Sequence, residues 1–76
     1  MTAFTCKAKQ FTDAWDATEY AATHRCDMIS MPGRVYLAIN ETNANRIEKN
    51  GGPETIRIIS EPRRGGWVTI EAGRDN

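Results

Sequence analysis

The sequence predicts a small α+β fold: a mostly antiparallel sheet of four or five strands, covered on one face by one long and one short helix. Three observations carry that expectation. Period-two alternation of apolar and polar residues marks FTCKAKQ near the start and ETIRIIS and WVTIEA near the end, as in half-buried strands. Two amphipathic segments with capping residues at their starts lie between them. Apolar residues make up 39% of the chain and charged residues 26%, enough to build a core and too apolar for a disordered tail.

The first strand comes from TAFTCKAKQ, with Phe4, Cys6 and Ala8 facing inward against Thr5, Lys7 and Lys9. FTDAWDATEYAATHRCD then reads as the long helix, capped by Thr12 or Asp13, with His24 and Arg25 at the end where the helix dipole favours cations. Its apolar side is mostly alanine (Ala14, Ala17, Ala21, Ala22), with Trp15 as the one large buried anchor. Truncating a fully buried Trp15 would cost roughly 3 to 5 kcal/mol. This helix is expected to be the main cover of the core.

Pro32-Gly33 suits the centre of a type II turn, and the run from Arg34 to Asn40 alternates Val35, Leu37 and Ile39 against Tyr36 and Ala38. If Met28 to Met31 pairs with this run, the element order is βαββαββ; if it does not, βαβαββ. The short helix follows, capped by Asn40 and ended by Gly51, Gly52 and Pro53. Only Ala44 and Ile47 give it an apolar side, so it decorates the fold more than it builds it. In the closing hairpin Ile56, Ile58, Val68 and Ile70 face inward while Arg57, Trp67 and Thr69 face out. The tail GRDN has nothing to bury and is expected to fray.

Seventy-six residues make a single domain, 1–76, that buries only about 60% of the surface its unfolded chain exposes. Ten basic and ten acidic residues cancel, so no overall positive field draws the chain to nucleic acid. No run approaches the roughly 20 apolar residues of a membrane helix, and the N-terminus lacks a signal-peptide pattern. The expectation is a cytoplasmic protein without a membrane partner. Cys6 and Cys26 form no CxxC pair and have no clustered histidines beside them, so both read as small buried hydrophobes, and neither a metal nor a cofactor is expected.

Catalysis finds little footing here. His24 and Cys26 sit two residues apart, and on a continuing helix they point about 200° away from each other. KNGGPE closes a helix with its glycines, whereas a phosphate loop opens one. The carboxylates are scattered singly. A non-enzymatic protein is the expectation.

The segment that stands out is SEPRRGGWVTIEAG. Arg63 and Arg64 can pair with phosphates, Gly65 and Gly66 allow close backbone approach, and Trp67 can stack on a base, which makes the case for nucleic acid. A turn that merely keeps a sheet edge soluble accounts for the same residues. Protein contact gains from Arg57, Tyr36 and Tyr20, since tyrosine, tryptophan and arginine anchor interfaces. Nucleic-acid contact gains from Lys7, Lys9, Arg34 and Arg57 if their strands are adjacent, and loses from Glu61, Glu71 and the zero net charge. A homodimer with a structural role is the third option.

In size, element order and its basic, aromatic hairpin, the segment NETNANRIEKNGGPETIRIISEPRRGGWVTIEAG resembles the small α+β anti-CRISPR proteins that bacteriophages and mobile elements encode. The resemblance rests on no diagnostic motif, so it transfers no residue's role. It implies a stoichiometric inhibitor, acting in the host cytoplasm, that binds a nucleic-acid-handling defence complex and blocks its nucleic-acid site or its partner.

Overall fold

The computed structural model describes residues 3–74. The elements run β1 (Phe4–Phe11), α1 (Ala14–His24), β2 (Cys26–Met31), β3 (Val35–Asn40), α2 (Glu41–Lys49), β4 (Arg57–Ile58) and β5 (Trp67–Ala72), with short 3-10 turns at Pro53–Thr55 and Arg64–Gly66. The order is βαββαββ, and Met28 to Met31 does lie in a strand. The fold is the small α+β class expected, with a five-stranded antiparallel sheet ordered β2-β3-β1-β5-β4.

Register assigns the faces, because directly paired residues in an antiparallel sheet project to the same side. Phe4, Cys6 and Ala8 of β1 pair with Ala72, Ile70 and Val68 of β5, and Ile58 of β4 pairs with Ile70. Gln10 pairs with Leu37 and Ile29 pairs with the same residue, which brings β3 and β2 onto this side. Leu37, Ile39, Val68 and Ile70 are buried here with Ala44 and Ile47 of α2. This is the core face. On the other side stand Lys7, Lys9 and Phe11 of β1, paired with Thr69, Trp67 and Tyr36, together with Ala38.

The helices divide between these faces rather than sharing one. Ala44 and Ile47 place α2 on the core face, whereas α1 packs Tyr20 against Phe11 on the opposite face, where Ala17 and Ala21 are buried outside the main cluster. Consequently α2 is more than decoration: Ile47 is 1% exposed and closes the core. Trp15, expected as the buried anchor of α1, is 73% exposed. The buried line of α1 runs through Ala17 and Ala21, and a residue two places earlier lies about 200° around the helix.

Caps set the helix ends. The Asp13 side chain accepts from the Trp15 N–H at 2.7 Å and from the Asp16 N–H at 3.4 Å, and Asn40 Oδ1 accepts from the Asn43 N–H at 2.8 Å. Arg25 turns left-handed (φ 54°, ψ 48°) and its N–H donates to the Ala21 carbonyl, so α1 stops before Cys26 and Asp27, which open β2 instead. The strand expected over ETIRIIS shrinks to Arg57–Ile58, because Pro53–Thr55 makes a 3-10 turn first. The start of the tail is tied down, with Gly73 N–H donating to Thr55 Oγ1 at 2.9 Å and Arg74 N–H to the Asn50 carbonyl at 2.8 Å. The last two residues of the expected fraying tail lie outside the described residues. Among the described residues no helix is long and apolar enough to cross a membrane.

Candidate functional site

The adjacency of β1 and β5 builds the site. Lys9 pairs with Trp67 across the strands, and its Nζ lies 5.6 Å from the centre of that ring. From α1, Tyr20 reaches the same ammonium at 4.8 Å, while Phe11 is 6.0 Å away and packs on Tyr20 at 5.5 Å. Spacing explains the gathering: Lys9 and Phe11 are two apart on a strand, and Tyr20 and His24 are four apart on a helix, so each pair shares a side. One cation is thus held among three rings on the face opposite the core. Each such contact is worth about 0.5–1 kcal/mol when partly exposed. Tyr36 joins this face directly across from Phe11.

His24 stacks on Tyr20 with ring centres 3.9 Å apart and planes 12° from parallel. Its Nδ1 donates to the Tyr20 carbonyl at 3.0 Å and lies 2.9 Å from Thr23 Oγ1. The imidazole is stitched to its own helix. Although Cys26 has left that helix, its thiol points to the His24 carbonyl at 3.5 Å, not to the ring. Burial pushes the Cys26 thiol upward, and the neighbouring Asp27 and Glu41 carboxylates add to this. Burial also raises Cys6, an effect the Arg46 guanidinium partly offsets. The two cysteines are free and stand on opposite faces of the sheet.

At the hairpin tip the Arg63 N–H donates to the Trp67 carbonyl at 2.8 Å and the Gly66 N–H to the Arg63 carbonyl at 2.8 Å, closing a tight loop. Gly65 and Gly66 both have φ near 80° (81° and 82°). A Cβ on Gly66 would meet the Gln10 carbonyl oxygen at 2.7 Å, so the tip sits directly against the backbone of β1. Both arginines at the tip are exposed, and among the described residues neither makes an ion pair. Trp67 is 39% exposed beside them.

Of the residues singled out from sequence, Trp67, Tyr20 and Tyr36 are brought onto one face, with Arg63 and Arg64 at the end of the hairpin that carries Trp67. Arg57 projects from the same face and forms an exposed cross-strand pair with Glu71 at 2.9 Å. Arg34 belongs to the β2–β3 turn, on the other side of β1 from β5. Lys9 and Phe11 hold the cluster together. The alternation of β1 had already put Lys7 and Lys9 on one side, but only the β1–β5 pairing reveals that they face Trp67. Beside the cluster lies a hollow of about 370 Å³, lined on this face by Lys7, Ala38, Asn40 and Trp67.

In comparisons with known proteins the chain matches no family model, no curated protein and no solved structure.

Proposed function

We propose that this chain is a non-enzymatic protein-binding module of the stoichiometric-inhibitor kind that its resemblance to anti-CRISPR proteins implies, and that it grips an acidic surface of its partner with the β1–β5 face. The observation that carries this reading is the cluster of Lys9, Tyr20 and Trp67 beside Arg63 and Arg64, which make no ion pair among the described residues. Rigid aromatic anchors next to cations that no carboxylate neutralises are the groups that concentrate binding energy in interfaces. Zero net charge does not oppose it, because Lys7, Lys9, Arg63 and Arg64 are gathered at one face and one tip. The hollow beside Trp67 gives a partner's side chain somewhere to insert. Lys7 and Asn40 line it, which suits a carboxylate or amide.

Capture from cells in which the chain is naturally made tests this. A specific partner should be retained by the wild-type chain and lost by the double variant Arg63→Glu, Arg64→Glu, whose melting temperature should stay within about 2 °C because both side chains are exposed. Undiminished capture by the folded double variant contradicts the reading.

A second reading, direct nucleic-acid binding, is favoured by one specific observation: Lys7, Lys9, Arg63 and Arg64 attend an exposed Trp67 on which a base could stack. Titration with labelled single- and double-stranded oligonucleotides at two salt concentrations separates the two. Affinity that falls steeply with salt favours nucleic acid, and its absence removes that reading.

A further inference from the structure

The sheet has two edges of different character. One is β4, only two residues long. The other is β2, a six-residue strand whose register with β3 runs unbroken from Cys26 opposite Asn40 to Met31 opposite Val35. Half of the backbone groups of β2 therefore point away from β3 with no strand to receive them among the described residues. Edge strands are normally blunted by lysine, proline, a bulge or an inward-facing charge; CDMISM has no lysine, proline or bulge, and Asp27 is its one charge. Instead both helices overhang this edge, α1 above one face and α2 above the other, leaving a groove of about 700 Å³ along it.

The two walls of the groove differ in chemistry. On the α1 side lie Thr18, Ala22 and Met28, all uncharged; on the α2 side the exposed carboxylates of Asp27 and Glu48 stand beside apolar Ile29 and Ile47, and no lysine or arginine lines the groove. We propose that the β2 edge accepts an extended segment of another protein as a sixth strand, one that alternates apolar residues toward α1 with lysine or arginine toward α2. Backbone hydrogen bonds would supply affinity, and the alternation would set the register. A second copy of this chain fits less well. Two β2 strands paired symmetrically about Met28 would hold Asp27 on a diagonal about 7–8 Å from its own copy, with the Glu48 walls adding like charge on that side. The inference does not rest on the β1–β5 reading, since the two surfaces share no residue the proposals use.

The probe is a blocked seven-residue peptide alternating lysine and valine, titrated into the full chain and followed by amide shifts and hydrogen exchange. Saturable binding should slow exchange at outward amides of Cys26–Met31 at least tenfold and shift Thr18 and Ala22. Methylating alternate peptide nitrogens should abolish it, and Asp27→Lys with Glu48→Lys should weaken it about tenfold while favouring the glutamate–valine analogue. Binding by the methylated peptide, shifts confined to other elements, or no saturation at millimolar peptide would each overturn the proposal. So would protection of β2 that grows with protein concentration alone, accompanied by a doubled mass, which would assign the edge to a second copy.

Discussion

The tip that carries Arg63, Arg64 and Trp67 is positioned by one glycine, and Gly66→Ala measures how firmly. Two costs arise. A left-handed φ of 82° is unfavourable for any residue with a Cβ by about 1–2 kcal/mol. The new methyl would also stand 2.7 Å from the Gln10 carbonyl oxygen, a backbone atom of β1 that has no rotamer to escape into, and overpacking of this kind adds about 1–3 kcal/mol. The sum, about 2–5 kcal/mol, corresponds to a fall in Tm of roughly 8–40 °C for a domain of this size. Gly33→Ala is the internal control. Its φ is also 82°, but nothing lies within 4 Å of its added Cβ, so only the first cost applies. Substituting alanine for glycine stiffens the unfolded chain equally at both positions, and that effect cancels in the comparison. Urea unfolding of both variants gives the difference directly. Gly66→Ala should be the less stable by about 1–3 kcal/mol. Equal stabilities within about 0.5 kcal/mol would refute the contact between tip and β1.

Further predictions follow from burial, charge and the aromatic cluster. Ile47→Ala should cost about 2–5 kcal/mol in urea unfolding, because the residue closes the core, whereas Trp15→Ala should change stability by less than about 0.5 kcal/mol. Lys9→Ala should destabilise by about 1–2 kcal/mol and, in a Trp15→Phe background, alter the emission of Trp67, whose ring loses its cation. Both thiols titrate above their ordinary range in the folded state, so their contribution to stability is complete below about pH 8.5 and lost as pH rises beyond it, the unfolded thiols ionising first. Comparing urea midpoints at about pH 7.5 and pH 9.5 should show a smaller loss in the variant with Cys6→Ala and Cys26→Ala than in the wild type.

Much of the fold was legible because local chemistry and tertiary structure agree. The alternation in β1, β3 and β5 named the core residues, and Asp13 and Asn40 cap their helices as their side chains allow. Disagreement came where the deciding force is not local. Trp15 drew attention as the largest apolar residue of α1, yet close approach of the helix to the sheet is made by the alanines, which leaves the bulky ring outside. The end of α1 carries no glycine; Arg25 takes the left-handed cap unaided, so nothing in HRCD announced that a strand had begun. The division of the helices between two faces depends on β3 inserting between β1 and β2, a pairing that no local pattern encodes.

The candidate site was half legible for the same reason. Arg63, Arg64 and Trp67 stood out by type, as did Tyr20 and Tyr36. Lys9, which joins the tip to α1, became visible only through the pairing of β1 with β5. Arg57 stood out by type alone, and its cross-strand pair with Glu71 likewise became visible only through the pairing of β4 with β5.

The most direct test of the account is a hydrogen-exchange footprint of the chain alone and in complex with a partner retained in the proposed capture experiment. Slowed exchange on binding is predicted along Lys7–Phe11 and through Arg63–Thr69, where the cations and Trp67 share a face. Unchanged exchange in both segments of a stable complex would contradict the assignment of that face as the binding surface.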